Sequence, residues 1–153
     1  MRAVVQRVLN ASVSVNDTVI GKMEGGLLVY LGVAHNDSET DAEKLCDKIT
    51  NLRIFNDKDE KMNLSILDLQ KDFKQFGILA ISQFTLLADA RKGRRPSYTD
   101  AANPEKANPL YEHFVKSVKK QGIVCEKGEF GAHMTVTYTN DGPVTIVLDT
   151  ADF

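Results

Sequence analysis

Three polar residues, Ser82, Gln83 and Thr85, follow directly on the apolar run of residues 78–81. A short, partly β-branched run after Gly77 predicts a buried strand. Hydroxyl and amide groups at the end of such a strand lie at the rim of the sheet, where binding and catalytic sites are often built. Serine and threonine at a strand end also cap ordinary turns. Both interpretations, a site and a simple turn, remain open from these residues alone.

A cluster of positive charge lies a few residues further on. Arg91, Lys92, Arg94 and Arg95 place four cations within five residues. Glycine and proline beside them keep the segment out of regular structure, so a loop is predicted. The loop is either a solvated surface or a contact for a phosphate-bearing substrate, because arginine and lysine are the usual phosphate ligands.

Two glycine-containing segments complete the candidate chemistry. Gly128 and Gly131 bracket a short loop that suits close approach of the backbone to a ligand, but their spacing does not fit a phosphate-binding loop. Gly142 and Pro143 belong to the segment Asn140-Asp141-Gly142-Pro143, which predicts a tight turn between two final strands.

The motifs of the common hydrolases and metalloenzymes are missing from this sequence. There is no G-x-S-x-G segment, and His35, His113 and His133 lack the spacing of metal ligands. Cys46 and Cys125 lie far apart, which favours buried reduced thiols over a disulfide or a metal site. No metal or cofactor is therefore expected, and an enzyme of this sequence would work with hydroxyls, backbone amides or a group of its substrate.

Composition sets the broad class. The chain has 153 residues, of which 42% are hydrophobic and 26% charged, so one domain spanning residues 1–153 is expected. A net charge of −2 argues against a protein that coats nucleic acid unspecifically. The sequence has neither a signal peptide nor an apolar run of about 18 residues, and a cytoplasmic location is expected.

Hydrophobic periodicity predicts the elements that must position these residues. Two long helices are expected, one beginning at Asp37 or Ser38 and one beginning at Asn103 with Pro104 in its first turn. A long first strand with a bulge near Asn10 leads through the turn Asn16-Asp17 to a second strand. The further strands predicted are residues 27–33, 53–55, 78–81, 123–126, 134–139 and 144–148, with an irregular apolar stretch at 64–69. The fold class is mixed α and β (α/β), a curved, barrel-like and mainly antiparallel sheet with the two long helices packed outside.

At this point the motifs resemble those of the D-aminoacyl-tRNA deacylase family, also called the D-tyrosyl-tRNA deacylase family. The resemblance spans essentially the whole chain. It rests on five segments taken together: Met1-Arg2-Ala3-Val4-Val5-Gln6-Arg7-Val8, Ser82-Gln83-Phe84-Thr85-Leu86, Lys92-Gly93-Arg94-Arg95-Pro96-Ser97, Gly128-Glu129-Phe130-Gly131-Ala132-His133-Met134 and Asn140-Asp141-Gly142-Pro143-Val144-Thr145.

The resemblance implies a homodimer that hydrolyses the ester between a D-amino acid and the terminal ribose of tRNA, with glycyl-tRNA as a further substrate. It implies that Ser82, Gln83, Phe84 and Thr85 line the pocket for the terminal adenosine and the ester. It also implies a cis bond at Gly142-Pro143 that reaches into the partner's pocket, where this turn and Met134 select chirality. The loop residues Arg91, Lys92, Arg94 and Arg95 are expected to bind tRNA.

The chemical role of Thr85 stays open in sequence. It has no neighbouring general base, which favours a positioning role over that of a nucleophile. Backbone N–H groups near Gln83 and Phe84 are expected to stabilise an oxyanion while water attacks, assisted by the ribose 2′-OH. Two other classes of protein would share this pocket, namely a module that only binds the tRNA end and an esterase that acts on small molecules without RNA.

Overall fold

The protein was analysed as a computed structural model that describes residues 1–70 and 76–153. The connection expected over residues 71–75 lies outside the described part of the chain. The strands are β1 (Arg2–Val15), β2 (Thr18–Met23), β3 (Gly26–Gly32), β4 (Phe55–Asn56), β5 (Met62–Leu64), β6 (Gly77–Ser82), β7 (Val124–Lys127) and β8 (Thr135–Asp149). The α-helices are α1 (Glu39–Thr50), α2 (Ile66–Leu69) and α3 (Pro104–Lys120), and 3-10 helices span Phe84–Leu87 and Thr150–Asp152.

The main sheet is built around β1 and β6. Strand β1 pairs antiparallel with β2, β3 and β8, whereas β6 lies parallel to β3 on one side and to β7 on the other. A strand with neighbours on both sides and both faces covered requires a nearly continuous apolar sequence, as residues 78–81 have. The predicted fold class is confirmed, with the candidate site at the end of the strand that has parallel neighbours.

Two apolar layers cover the two faces of this sheet. The layer facing α1 and α3 includes Leu27, Val29 and Ile78, while alternate residues such as Leu28 and Leu79 face a smaller cluster on the other side. Alternation of buried side chains along one strand is the pattern of a sheet that packs on both faces. No described helix is long and apolar enough to cross a membrane.

The two long helices begin where capping residues predict. Ser38 is the N-cap of α1, and its backbone N–H donates to Asp41 at 2.8 Å. Asp37, the alternative cap, instead accepts a hydrogen bond from the Ala34 N–H at 2.6 Å. Asn103 caps α3 by accepting from the Lys106 N–H at 3.1 Å. The buried face of α3 includes Leu110, Tyr111, Phe114, Val115 and Val118.

Local turn chemistry is also confirmed in the first hairpin. Asn16 and Asp17 have φ values of 48° and 61°, as a two-residue turn of this kind requires. The pairing of β1 with β8 shifts register between Val8 and Asn10, where a bulge was predicted. The apolar stretch 64–69, predicted as irregular, consists of the end of β5 and the short helix α2.

The prediction of a tight turn at residues 140–143 is wrong. Residues 134–139 and 144–148 do not form a hairpin, since β8 runs in one direction along β1 from Thr135 to Asp149. Gln6 pairs with Thr145 and Val8 pairs with Asn140, so four residues of β8 lie opposite Arg7 alone. Glycine and proline here make a large bulge, which we call the Gly-Pro bulge (residues 141–144).

Candidate functional site

The segment that follows β6 is held against the end of β3. Ser82 is the last residue of β6, and the Gln83 N–H continues the parallel ladder by donating to the Leu31 carbonyl at 2.8 Å. The chain then forms the 3-10 helix Phe84–Leu87, which we call the site helix. Gly32 allows this approach, because a Cβ there would lie 3.0 Å from the Gln83 carbonyl oxygen. The strand end therefore carries a fixed, short helix.

A cavity of about 620 Å³ opens beside this helix. Its size falls in the range of small-molecule sites, roughly 300–1,000 Å³. Its walls come from the end of β6, the site helix, the segment before α3 and the loop before β8. The lining side chains that matter below are Ser82, Gln83, Phe84, Tyr98, Tyr111, Phe130, His133 and Met134. Four residues predicted for one site, Ser82, Gln83, Phe84 and Met134, are thus brought together.

Thr85 is placed differently from its three predecessors. It is exposed and lies outside the cavity lining, and its hydroxyl accepts a hydrogen bond from the Gln83 side-chain amide at 2.5 Å. Within residues 1–70 and 76–153, no imidazole or carboxylate hydrogen-bonds to this hydroxyl. A threonine nucleophile needs a base within hydrogen-bond reach. The geometry accordingly favours Thr85 as a group that orients Gln83.

One expected oxyanion donor is not free. The Gln83 N–H is occupied by the Leu31 carbonyl, so the prediction that the backbone around Gln83 supplies a donor is wrong for this group. The first N–H groups of a helix have no partner within the helix. Phe84 and Thr85 are the first two residues of the site helix, and their N–H groups are the donors available near the cavity.

The inner wall of the cavity is rigidly tied to the sheet. The buried Tyr111 hydroxyl donates to the Ala80 carbonyl at 2.9 Å, and burial raises the pKa of this phenol, which stays protonated. Its ring packs against Phe130 with centroids 6.2 Å apart. A Cβ on Gly128 would lie 2.5 Å from the Met134 sulfur, so glycine at this position makes room for Met134 in the wall. Sequence reasoning missed Tyr111 as a site residue, because its spacing is that of an ordinary core residue.

Gly142 and Pro143 are exposed and lie outside the described lining of the cavity in their own chain. The bond between them is cis. Arg7 holds the base of the bulge, with Nε 2.8 Å from an Asp141 carboxylate oxygen and Nη1 donating to the Ile54 carbonyl at 2.6 Å. Arg7 is 8% exposed, and its inward position in β1 was a signal available in the sequence.

Asn140 closes the other side of the bulge. Its side-chain amide donates to the Arg7 carbonyl at 2.9 Å and to the Val144 carbonyl at 3.1 Å. Gly142 has φ of 115°, and a Cβ there would lie 2.8 Å from a Val144 methyl group. This conformation requires glycine. The bulge is therefore a defined projection from β8 and not a loose loop.

The basic segment forms a closed loop near the cavity mouth. Asp89 and Ser97 exchange two backbone hydrogen bonds of 2.8 Å, and Tyr98, next in the chain, lines the cavity. Arg91 donates from Nε and Nη2 to the two oxygens of Asp89 at 2.8 and 2.7 Å. The side-chain hydrogen bond to Arg91 lowers the pKa of Asp89 to about 2. Arg91, Lys92, Arg94 and Arg95 are all exposed, and within the described residues Arg91 is the one of the four that makes an ion pair.

A metal site in a protein is usually a cluster of histidine, cysteine or carboxylate side chains around one point. In the described part of the chain no cluster of three or more histidine, cysteine or carboxylate side chains has that arrangement. Cys46 and Cys125 are buried free thiols, and burial raises the pKa of each to about 12. The predicted burial of both cysteines is confirmed.

Comparison with known proteins identifies the family. The model of the family "D-Tyr-tRNA(Tyr) deacylase" matches residues 4–149. A D-aminoacyl-tRNA deacylase of Thermosipho melanesiensis is 59% identical over 97% of both chains, and one of Clostridioides difficile is 53% identical over 99% of this chain and 98% of its own. The solved structure of a "c-Myc DNA Unwinding Element Binding Protein" superimposes with a TM-score of 0.87 at 39% identity, over 97% of this chain and 98% of the other.

The polar strand end, the cavity and the basic loop thus belong to a chain whose relatives are hydrolases. The chain belongs to the D-Tyr-tRNA(Tyr) deacylase family, as the resemblance of its motifs predicted.

Proposed function

We propose that this protein hydrolyses the ester of D-aminoacyl-tRNA and releases tRNA and the free D-amino acid. The observation that carries the proposal is the cavity at the end of β6, where neutral polar groups of Ser82 and Gln83 meet an apolar aromatic wall. Such a lining suits an uncharged ester and an adenosine. The family and the names of the relatives support the same substrate.

The chemistry needs little from the protein, because an aminoacyl ester is already activated. Water adds to the ester carbonyl, and the N–H groups of Phe84 and Thr85 stabilise the oxyanion. The bond from the carbonyl carbon to the ribose 3′ oxygen then breaks, and the proton lost by water ends on that oxygen. The neighbouring 2′-OH of the RNA passes this proton, since no protein base hydrogen-bonds to Thr85 within the described residues.

The basic loop contributes binding of the tRNA end. Lys92, Arg94 and Arg95 are exposed, make no ion pair with another described residue, and contact phosphates of the single-stranded end. Arg91 was expected to be a fourth contact. Because Arg91 already pairs with Asp89, we expect it to be a weaker contact than the other three.

Chiral selection requires a second copy of the chain. The Gly-Pro bulge lies outside its own cavity, and no described strand pairs with the free edge of β8. A long unpaired edge is a template for association, and β8 lacks the lysines that usually block it. In a homodimer the bulge of one protomer enters the partner's cavity. There its backbone, together with Met134, fixes the substrate amine and excludes an L side chain.

This filter acts on the side chain, so glycine passes it. The protein would then also deacylate glycyl-tRNA, including tRNA(Ala) mischarged with glycine. Such an activity serves proofreading in translation and belongs in the cytoplasm, where charged tRNAs are consumed.

The test is release of amino acid from D-aminoacyl-tRNA by the pure protein. A module that only binds tRNA would shift the mobility of the RNA and release nothing. A small-molecule esterase would cleave a simple aminoacyl ester as fast as the charged tRNA. We expect the protein to cleave the charged tRNA and not the simple ester. Cleavage should be much slower when the terminal ribose is 2′-deoxy and acylated at the 3′ position. Full activity on that substrate contradicts the RNA-assisted route.

A further inference from the structure

The mouth of the cavity carries an exposed aromatic pair. Phe84 and Tyr98 are 57% and 40% exposed, and their rings pack edge to face with centroids 5.1 Å apart and planes at 68°. They come from separate segments, the site helix and the residue after the basic loop. Large aromatic rings are normally buried, so an exposed pair beside a site marks a contact surface.

The cavity has room for one nucleotide. Its volume of about 620 Å³ suits a single small ligand. The buried Tyr111 with Phe130 forms a separate aromatic surface deeper in the same cavity. Phe84 and Tyr98 also line this cavity, but they are its exposed aromatic rings, so a tRNA that places its aminoacyl-adenosine against the buried ones brings the preceding nucleotide to Phe84 and Tyr98.

We propose that Phe84 and Tyr98 form a stacking platform for the base of the nucleotide that precedes the terminal adenosine. This inference rests on the proposed function. Aromatic side chains bind bases of single-stranded RNA by stacking without need of hydrogen bonds. Charge complementarity supports an RNA occupant, because the exposed Arg95 lies only three residues before Tyr98 in a loop that carries four cations.

The geometry of the loop keeps this platform in place. The two backbone hydrogen bonds between Asp89 and Ser97 fix the chain immediately before Tyr98, and the Tyr98 carbonyl accepts from the Ala101 N–H at 3.1 Å. On the other side Phe84 begins the site helix, anchored through Gln83 to β3. A platform held from both sides gives up little entropy when a base binds.

The experiment compares D-aminoacyl-tRNA having its normal penultimate base with the same tRNA having an abasic penultimate nucleotide. Loss of the base should lower kcat/KM of the unaltered protein about 5- to 150-fold, mostly through KM, as expected for one stacked base. Tyr98→Leu should lower kcat/KM on the intact tRNA by a similar factor and should change turnover of the abasic tRNA little. Tyr98→Phe keeps the ring and should keep the dependence on the penultimate base.

Two results overturn the platform. One is equal loss by Tyr98→Leu on the intact and the abasic tRNA, which would place the ring against the terminal nucleotide or in a structural role. The other is no effect of the abasic nucleotide on the unaltered protein. If that protein releases no amino acid at all, the proposed function fails separately. Its affinity for the two uncharged tRNAs then tests the platform, which predicts weaker binding of the abasic one.

Discussion

At the residue scale, the hydrogen bond between Gln83 and Thr85 decides the role of the hydroxyl. Because Thr85 contacts an amide and, among the described residues, no base, we expect Thr85→Ala to lower kcat less than about 100-fold, whereas loss of a nucleophile costs about 10⁴- to 10⁶-fold. Gln83→Ala should have a similar effect, and the double variant should be little worse than either single variant, since the two side chains act as one unit. Single-turnover deacylation rates measure all three variants. A trapped acyl-enzyme on Thr85 would contradict this assignment.

The second prediction concerns Arg7, which pairs with Asp141 of the Gly-Pro bulge and also donates to the Ile54 carbonyl. Lysine keeps the charge but lacks the planar fork that reaches both partners. Arg7→Lys should therefore lower the free energy of unfolding by about 1–3 kcal/mol and the ratio of D- to L-aminoacyl-tRNA turnover by about tenfold or more.

The matched control for Arg7 is Arg53→Lys. Arg53 donates to the Asn63 carbonyl at 2.8 Å, and both residues lie outside the described cavity lining. This change should leave the D-to-L ratio as it was. An unaltered ratio in Arg7→Lys as well would mean that the bulge takes no part in selection.

At the residue scale, much of the site could be predicted from the sequence, because several of its residues are neighbours in the chain. Ser82, Gln83 and Phe84 share one cavity because they follow one buried strand without interruption. Arg7 could have been found as well, since it continues the inward alternation of Ala3 and Val5. Hydrogen-bond partners that are distant in sequence could not be predicted, for example the Leu31 carbonyl that accepts from the Gln83 N–H.

At the element scale, the third prediction concerns the basic loop. Arg94→Ala with Arg95→Ala removes two free cations, so the slope of log K against log salt for tRNA binding should become shallower by about 1.5, at 0.7–0.9 per phosphate contact. Arg91→Ala is the internal control: Arg91 already pairs with Asp89, and its loss should change the slope by less than half as much. Equal slopes in all variants would make the loop a solvated surface only.

Elements with local signals were predictable, and those fixed by distant pairing were not. The caps at Ser38 and Asn103 and the turn at Asn16 are encoded within a few residues. Gly142 and Pro143 carry the composition of a turn. Yet β1 pairs with β8 on both sides of them, and this pairing turns the segment into a bulge. Register with a strand more than 120 residues away, in which Val8 pairs with Asn140, has no local signature.

At the scale of the whole molecule, the fourth prediction concerns the proposed dimer. Val147 is 66% exposed on β8, and a lysine on an edge strand opposes pairing with another chain. Val147→Lys should shift the mass measured by light scattering from dimer to monomer and lower deacylation in parallel. Val19→Lys, at a valine 56% exposed on β2, should leave both unchanged. A fully active monomer would contradict the cross-subunit site.

We propose that the backbone of the Gly-Pro bulge, supplied by the partner protomer, rejects L-amino acids in the cavity beside Ser82. The most direct measurement is the rate of deacylation of one tRNA charged with the D or the L form of the same amino acid, at equal enzyme concentration. We predict rapid hydrolysis of the D-aminoacyl-tRNA and an L rate close to that without enzyme, with glycyl-tRNA also cleaved. Comparable rates for the D and L substrates would contradict the account.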